Sequence, residues 1–393
     1  MIFFSKAHSL TWPRSTRRRV RVDIPAGSSQ LVMLLLVALS ISLNACKEIW
    51  LNDPTPPVVN QLYYVKITGD TKSVYRVNED GSGKIQVIEE CRFFAAPKNG
   101  KLAYIKSEGG QSYPKILKLI LCDADGSNPK TIDSTRTMVY ESVELSDDAT
   151  KMLVTITKSL GKHRIMGFKD FVVAPDSPLL ILKKDGNKEI ELHDNTLPSF
   201  SPDGKRVAYF NDDKGPGSGE LMVRSVPSDN YGDDDELGDC DFYPGGQELS
   251  WSADGTMLIY NSKDKKIKLH TVIGGNTVTN IPMAGKLEAI EGVLSRNSKE
   301  LLFSAVSATD YKSRNLYIAT LGGTGAYETI SDKAQTLNFL GAFSPDASHV
   351  AYIHCDFDSF PGKNYESCML SIYDRSSKKD TIVDSGVTSC FYK

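Results

Sequence analysis

Short runs of apolar and polar positions, each broken by a tight turn, recur along this chain from residue 62 to its end. The clearest unit is PSFSPDGKRVAYF, residues 198–210. In its turn, Pro202 presets φ and Gly204 accepts a positive φ. The run Val207-Ala208-Tyr209-Phe210 that follows has the β-branched and aromatic content of a strand. The same register returns in WSADGTMLIY (251–260), FSPDASHVAY (343–352), LSRNSKELLF (294–303) and LSDDATKMLV (145–154). APKNGKLAY (96–104) keeps it with one residue fewer.

The turn Asp or Asn marks each copy: Asn99, Asp148, Asp203, Asp254, Asn297 and Asp346. An apolar residue stands three positions earlier, a serine usually two earlier, and a large apolar or aromatic residue usually six later. A period in the forties with four short strands per unit is the signature of a propeller blade. Residues 62–68, 73–78 and 84–88 read as three strands with no inner strand before them, and residues 386–393 form a lone strand-like tail. The economical solution is that the tail supplies the missing strand, which closes the ring and removes the sheet edges that invite aggregation. The prediction is an all-β propeller over residues 62–393 with seven four-stranded blades. The alternative is six blades, with residues 62–88 as an appendage.

The first 45 residues carry a different pattern. Arg14, Arg17, Arg18, Arg19 and Arg21 make a basic stretch, and residues 31–43 (LVMLLLVALSISL) an apolar run too short to span a bilayer comfortably. The run ends in Leu43-Asn44-Ala45-Cys46, which resembles the bacterial lipobox. That resemblance implies a signal peptide over residues 1–45, with Cys46 diacylated, palmitate included, and anchored in the membrane. Lys47 stands where an inner-membrane retention signal would put Asp, so by the same resemblance the chain is an outer-membrane lipoprotein facing the periplasm or the cell surface. Residues 46–61 are a tether that Pro54, Pro56 and Pro57 keep extended. The competing reading, a buried helix opening a cytosolic fold, lacks a polar face of helical period. Without residues 1–45 the formal charge moves from −3 to −8, which argues against a nucleic-acid partner.

FSPDG at 200–204 and the hairpins CDADGSNPKTI (122–132) and VNEDGSGKIQVI (77–88) resemble the TolB-like β-propeller family across nearly all of the mature chain. The resemblance implies the fold well and the activity poorly. Such propellers include envelope binding scaffolds, the propeller halves of serine peptidases and some sugar-acid lyases.

Candidate chemistry is sparse. Asp123-Ala124-Asp125-Gly126 and Asn78-Glu79-Asp80-Gly81 lack the spaced carboxylates of an EF-hand and read as hairpin turns. The run Asp233-Asp234-Asp235-Glu236, with Asp239 and Asp241, reads as a solvated acidic loop rather than a cation site. No paired-histidine zinc motif, nucleophile elbow, P-loop or dinucleotide fingerprint occurs, so no cofactor is expected and an enzyme is disfavoured. Two classes stay open: a scaffold that binds a protein or glycan, and a metal-assisted polysaccharide lyase or hydrolase. The second needs His163, His270 and His354 to meet across blades.

With Cys46 lipidated, Cys91, Cys122, Cys240, Cys355, Cys368 and Cys390 remain, an even set suited to an oxidising compartment. Cys355 ends one strand and Cys368 begins its antiparallel neighbour, so this pair is the specific disulfide expected. The long insertions fall between second and third strands, at residues 106–114, 158–178, 211–219, 307–314 and 354–367, and residues 228–246 add an acidic link between blades. Both kinds of connection emerge on one face, where repeat proteins often bind. Tyr113, Arg164, Phe168, Phe171, Tyr231, Tyr311, Arg314, Phe357, Phe360 and Tyr365 are its contact candidates.

Overall fold

The computed structural model describes residues 60–69, 71–108, 116–135, 138–158, 179–183, 188–192, 195–211, 218–226, 234–241, 249–262, 264–273, 277–281, 287–307, 310–323, 326–358 and 365–392. Cys46 and the expected signal lie outside them. So does all of the expected tether but its last two residues, of which Gln61 already opens the first strand.

The strands follow in groups. β1 (Gln61–Thr68), β2 (Thr71–Asn78) and β3 (Ile85–Ile88) come first. Next are β4 (Phe93–Phe94), β5 (Lys101–Glu108), β6 (Ile116–Asp123) and β7 (Lys130–Thr135). Then come β8 (Met138–Leu145), β9 (Lys151–Lys158), β10 (Leu179–Lys183) and β11 (Lys188–Leu192). β12 (Asn195–Phe200), β13 (Arg206–Asn211), β14 (Ser218–Ser225) and β15 (Asp234–Asp241) form a fourth group. β16 (Ser250–Trp251), β17 (Met257–Asn261), β18 (Ile267–Thr271) and β19 (Val278–Asn280) form a fifth. β20 (Leu287–Leu294), β21 (Glu300–Ser307), β22 (Asp310–Thr320) and β23 (Tyr327–Ser331) precede β24 (Thr336–Phe343), β25 (His349–Asp356), β26 (Met369–Asp374) and β27 (Lys379–Ser385). The last strand is β28 (Val387–Tyr392).

Each complete group is an antiparallel meander. Strands β4–β7, β8–β11, β12–β15 and β16–β19 make separate four-stranded sheets. Strands β20–β27 are joined into one sheet at a single parallel pair, Arg314 with Leu337. β28 completes the first sheet by pairing antiparallel to β1, with Tyr64 opposite Cys390 and Leu62 opposite Tyr392. The tail thus takes the inner-strand place that the missing first strand left open.

The second strand of a group is apolar on both faces. Leu102 to Ile105, Val207 to Phe210, Leu301 to Phe303 and Val350 to Ile353 are all buried, as befits a sheet covered on both sides. Buried apolar residues fall into seven clusters among the described residues, each shared by two successive strand groups. The one between last and first holds Leu62, Tyr64, Ala351, Ile353, Leu370, Val387 and Cys390. Cys355 and Cys368 lie in this cluster too, joined by a disulfide. Cys91, Cys122 and Cys390 are buried free thiols, whose burial pushes them up to about 11, 12 and 12.

The recurring turn explains its own sequence. In five copies a buried serine donates to the Asp or Asn two residues on: Ser146 to Asp148 at 2.7 Å, Ser201 to Asp203 and Ser252 to Asp254 at 2.6 Å, Ser295 to Asn297 at 2.8 Å, and Ser344 to Asp346 at 2.7 Å. The same hydroxyls accept the backbone N–H groups of Lys151, Arg206, Met257, Glu300 and His349. Alanine at these positions would lose both bonds. The next residue takes a positive φ in every copy: Ala149, Gly204, Gly255, Ser298 and Ala347. Where Pro97 replaces the serine, Asn99 donates instead to the Asp148 carbonyl of the next sheet, at 3.1 Å.

Neighbouring turns touch. A Cβ on Gly204 would lie 2.8 Å from Ser146 Cβ, whereas at Gly255 the nearest atom is Arg206 Nη2, the far end of a flexible side chain, at 3.0 Å. Gly204→Ala is therefore expected to cost about 1–3 kcal/mol, and Gly255→Ala less. Urea unfolding of the two variants checks the order; equal losses would mean that φ alone sets the cost.

Candidate interaction face

In the groups from β4 to β27 the turn between first and second strands is short, and the hairpin between third and fourth is six residues or so at most turns. The longest connections, residues 159–178 and 357–368, both run from a second strand to a third. In a meander these emerge at the same end as the links between groups, opposite the Ser-x-Asp turns.

The ten contact candidates fare differently on this end. Tyr113, Arg164, Phe168, Phe171, Tyr231 and Phe360 lie outside the described residues. Tyr311 is placed on β22, one residue from its start. Phe357 directly follows β25; its N–H donates to the Gln335 carbonyl at 2.8 Å, and the exposed Lys312 ammonium stands 5.9 Å from its ring centre. Tyr365 opens a 3-10 turn (Tyr365–Ser367) and packs its ring on the cluster between the last and first sheets. That burial raises its phenol above the ordinary range.

Arg314 corrects the sequence reading. It lies inside β22 rather than in a loop, because β21 and β22 pair all the way out to Ser307 opposite Asp310. Its guanidinium pairs with Glu291 of β20, donates through Nε to Ser304 Oγ at 3.0 Å and stacks over Phe339 with its centre 5.0 Å from the ring. Asn338 of β24 donates to its carbonyl at 2.7 Å. Its side chain is engaged within the fold, where β22 meets β24. The acidic link is corrected too: Asp234–Asp241 is strand β15, paired with β14 at the sheet's edge. Carboxylates along an outer strand are one means of preventing edge-to-edge association.

Among the described residues, no three His, Cys, Asp or Glu side chains gather into a possible metal site. His270 is on β18 and His354 on β25, in different sheets, and His163 is outside the described residues. Asp123 and Asp125 serve the β6–β7 hairpin: Asp125 accepts Ser127 N–H at 2.9 Å, and Asp123 accepts Asn128 Nδ2 at 2.6 Å and pairs with Lys101.

At the closure, Asp384 of β27 gathers a cluster of charged and polar partners. It accepts Tyr64 Oη at 2.8 Å and Lys66 Nζ at 2.6 Å, both from β1, and Lys84 Nζ at 3.2 Å. Burial opposes its ionisation, but the bonds from Lys66, Tyr64, the Ser385 N–H and Lys84 outweigh it and hold the carboxyl below its usual range. A depressed carboxylate stabilises the fold above its unfolded value, about 3.9, and the benefit is lost as pH falls through the folded value. Wild-type stability should thus fall off below about pH 4, and Asp384→Asn should be weaker at neutral pH with a flatter acid limb. Melting temperatures from pH 2 to 7 would show it, and parallel curves would refute it.

No helix of the described residues is long and apolar enough to cross a membrane. The closed meanders, stacked face to face and joined through β28 and β1, define an all-β protein of β-propeller architecture. No protein-family model matches the chain, and no curated protein of similar sequence was found. Solved structures do resemble it. The β-propeller domain of the Trilobed protease from Pyrococcus furiosus, described as having an open velcro topology, aligns at 14% identity and TM-score 0.54 over 83% of this chain and 92% of its own. The acylaminoacyl peptidase of Pyrococcus horikoshii aligns at 13% identity and TM-score 0.56, over 83% of this chain and 50% of its own. TolB from Acinetobacter baumannii aligns at 16% identity and TM-score 0.49, over 84% and 82%. The first two establish the fold; the third is too loose to add to it.

Proposed function

We propose that this chain is a lipid-anchored propeller of the bacterial cell envelope that binds a protein or glycan through the end of the strands where its long connections emerge. The observation that carries this reading is the one-sided placement of those connections, with residues 159–178 and 357–368 both running from second to third strands. Fixed strands beneath variable connections are the usual layout of a recognition surface. The seven inter-sheet clusters favour a ring of seven TolB-like blades, the sheet β20–β27 counting as two. Anchoring rests on Cys46 after its apolar run.

Replacing Phe168, Tyr311 and Phe360 together by alanine should abolish partner capture in intact-cell crosslinking while the melting temperature stays put. Undiminished capture by the triple variant, with loss on altering the Ser-x-Asp end, would reject this face. Labelled palmitate should enter the wild type and not Cys46→Ala.

A further inference from the structure

The disulfide lies on the closure of the ring. Cys355 is near the end of β25 and Cys368 immediately precedes β26, and both sulfurs are buried against side chains of β1, β26 and β28. The Cys368 carbonyl accepts the N–H of Gly386 at 2.8 Å and that of Val387 at 3.3 Å, which is where the chain enters β28. The Gly386 carbonyl in turn accepts Ile67 N–H of β1 at 2.7 Å. Gly386 has a φ of 74°, and a Cβ there would lie 2.8 Å from the Ile67 carbonyl oxygen. The path into the closing strand is therefore tightly fixed, between Ile67 of β1 on one side and Cys368 on the other. That residue stands at the end of a long connection, and the bridge to Cys355, 13 positions earlier, ties it to the middle of the sheet.

We propose that the Cys355–Cys368 disulfide is a redox latch on ring closure: by fixing the Cys368 carbonyl it lets β28 dock firmly, and reduction frees β28 before any other strand. A dithiol reductant supplies the two electrons and two protons that turn the bridge into two thiols, and is itself oxidised to a disulfide. In sheets β4–β7 through β16–β19 all four strands are consecutive in the chain, so these sheets do not depend on the bridge. The ring would close firmly only in an oxidising compartment, whatever partner it meets there.

The chain contains its own reporters. Cys390 is a buried free thiol within β28, opposite Tyr64. Cys91 and Cys122 are buried free thiols in the cluster between the first and second sheets. A maleimide reaches each only when its surroundings open. In the full chain, the double variant Cys355→Ala/Cys368→Ala should raise the Cys390 labelling rate about 10- to 100-fold and leave Cys91 and Cys122 unchanged, as read by peptide mass spectrometry. An unchanged Cys390 rate, or all three thiols speeding up together, would overturn the latch. Should the double variant fail to fold, the wild type can be taken through graded dithiothreitol and quenched with iodoacetamide. Modification of Cys390 ahead of Cys91 and Cys122 supports the proposal, and simultaneous modification of the three refutes it.

Discussion

Removing residues 387–392 is expected to abolish soluble, cooperative folding. β28 is the only described strand that covers the free flank of β1, and it buries Val387 and Cys390 against Leu62, Tyr64 and Ile353. Uncovering that surface costs on the order of 5 kcal/mol, comparable with the whole stability of a typical domain. It also leaves β1 with a long unpaired flank, an invitation to aggregation. Size-exclusion chromatography and a thermal melt of the truncated chain decide the matter. A monomer with an unchanged melting temperature would show that the tail is dispensable.

Gly341→Ala should be nearly as severe for a different reason. Gly341 lies in β24 where the register with β25 shifts between Phe339 and Ala342. A Cβ there would stand 1.5 Å from the Ala351 carbonyl oxygen and 2.5 Å from its carbon. The obstacle is backbone, and β25 is held on both sides by β24 and β26, so it cannot step aside. The expected loss is at least about 3 kcal/mol. Gly322→Ala is the control: its φ is 74°, but nothing lies within 4 Å of a Cβ, so it should cost about 1 kcal/mol. Denaturant midpoints separate the two, and equal losses would show that the bulge relaxes.

The Ser-x-Asp turn was legible because its geometry needs particular side chains at fixed offsets, and those requirements are written into adjacent positions. Ser201, Asp203 and Gly204 do their work locally, between Ser201 and Arg206. Asp234–Asp241 was read as a loop because carboxylates disfavour strands in general, yet an edge strand has neighbours on one side only and tolerates them. Arg314 was read as a contact residue because charge next to aromatics suggests an interface. Within the fold it pairs with Glu291, 23 positions away on β20, and no local pattern announces such a pair. The contact candidates were the aromatic residues and arginines of the long connections, so Lys312, which stands over Phe357, passed unnoticed.

The antiparallel pairing of β1 with β28 puts Leu62 beside Tyr392. The start of the first strand and the end of the last therefore meet at one sheet margin. A linker of a few residues could join them into a continuous backbone, and a cut in a connection such as residues 159–178 would then give a circular permutant with the same ring. In such a chain the closing pair would become an ordinary hairpin, and the burden of closure would pass to whichever sheet received the new ends.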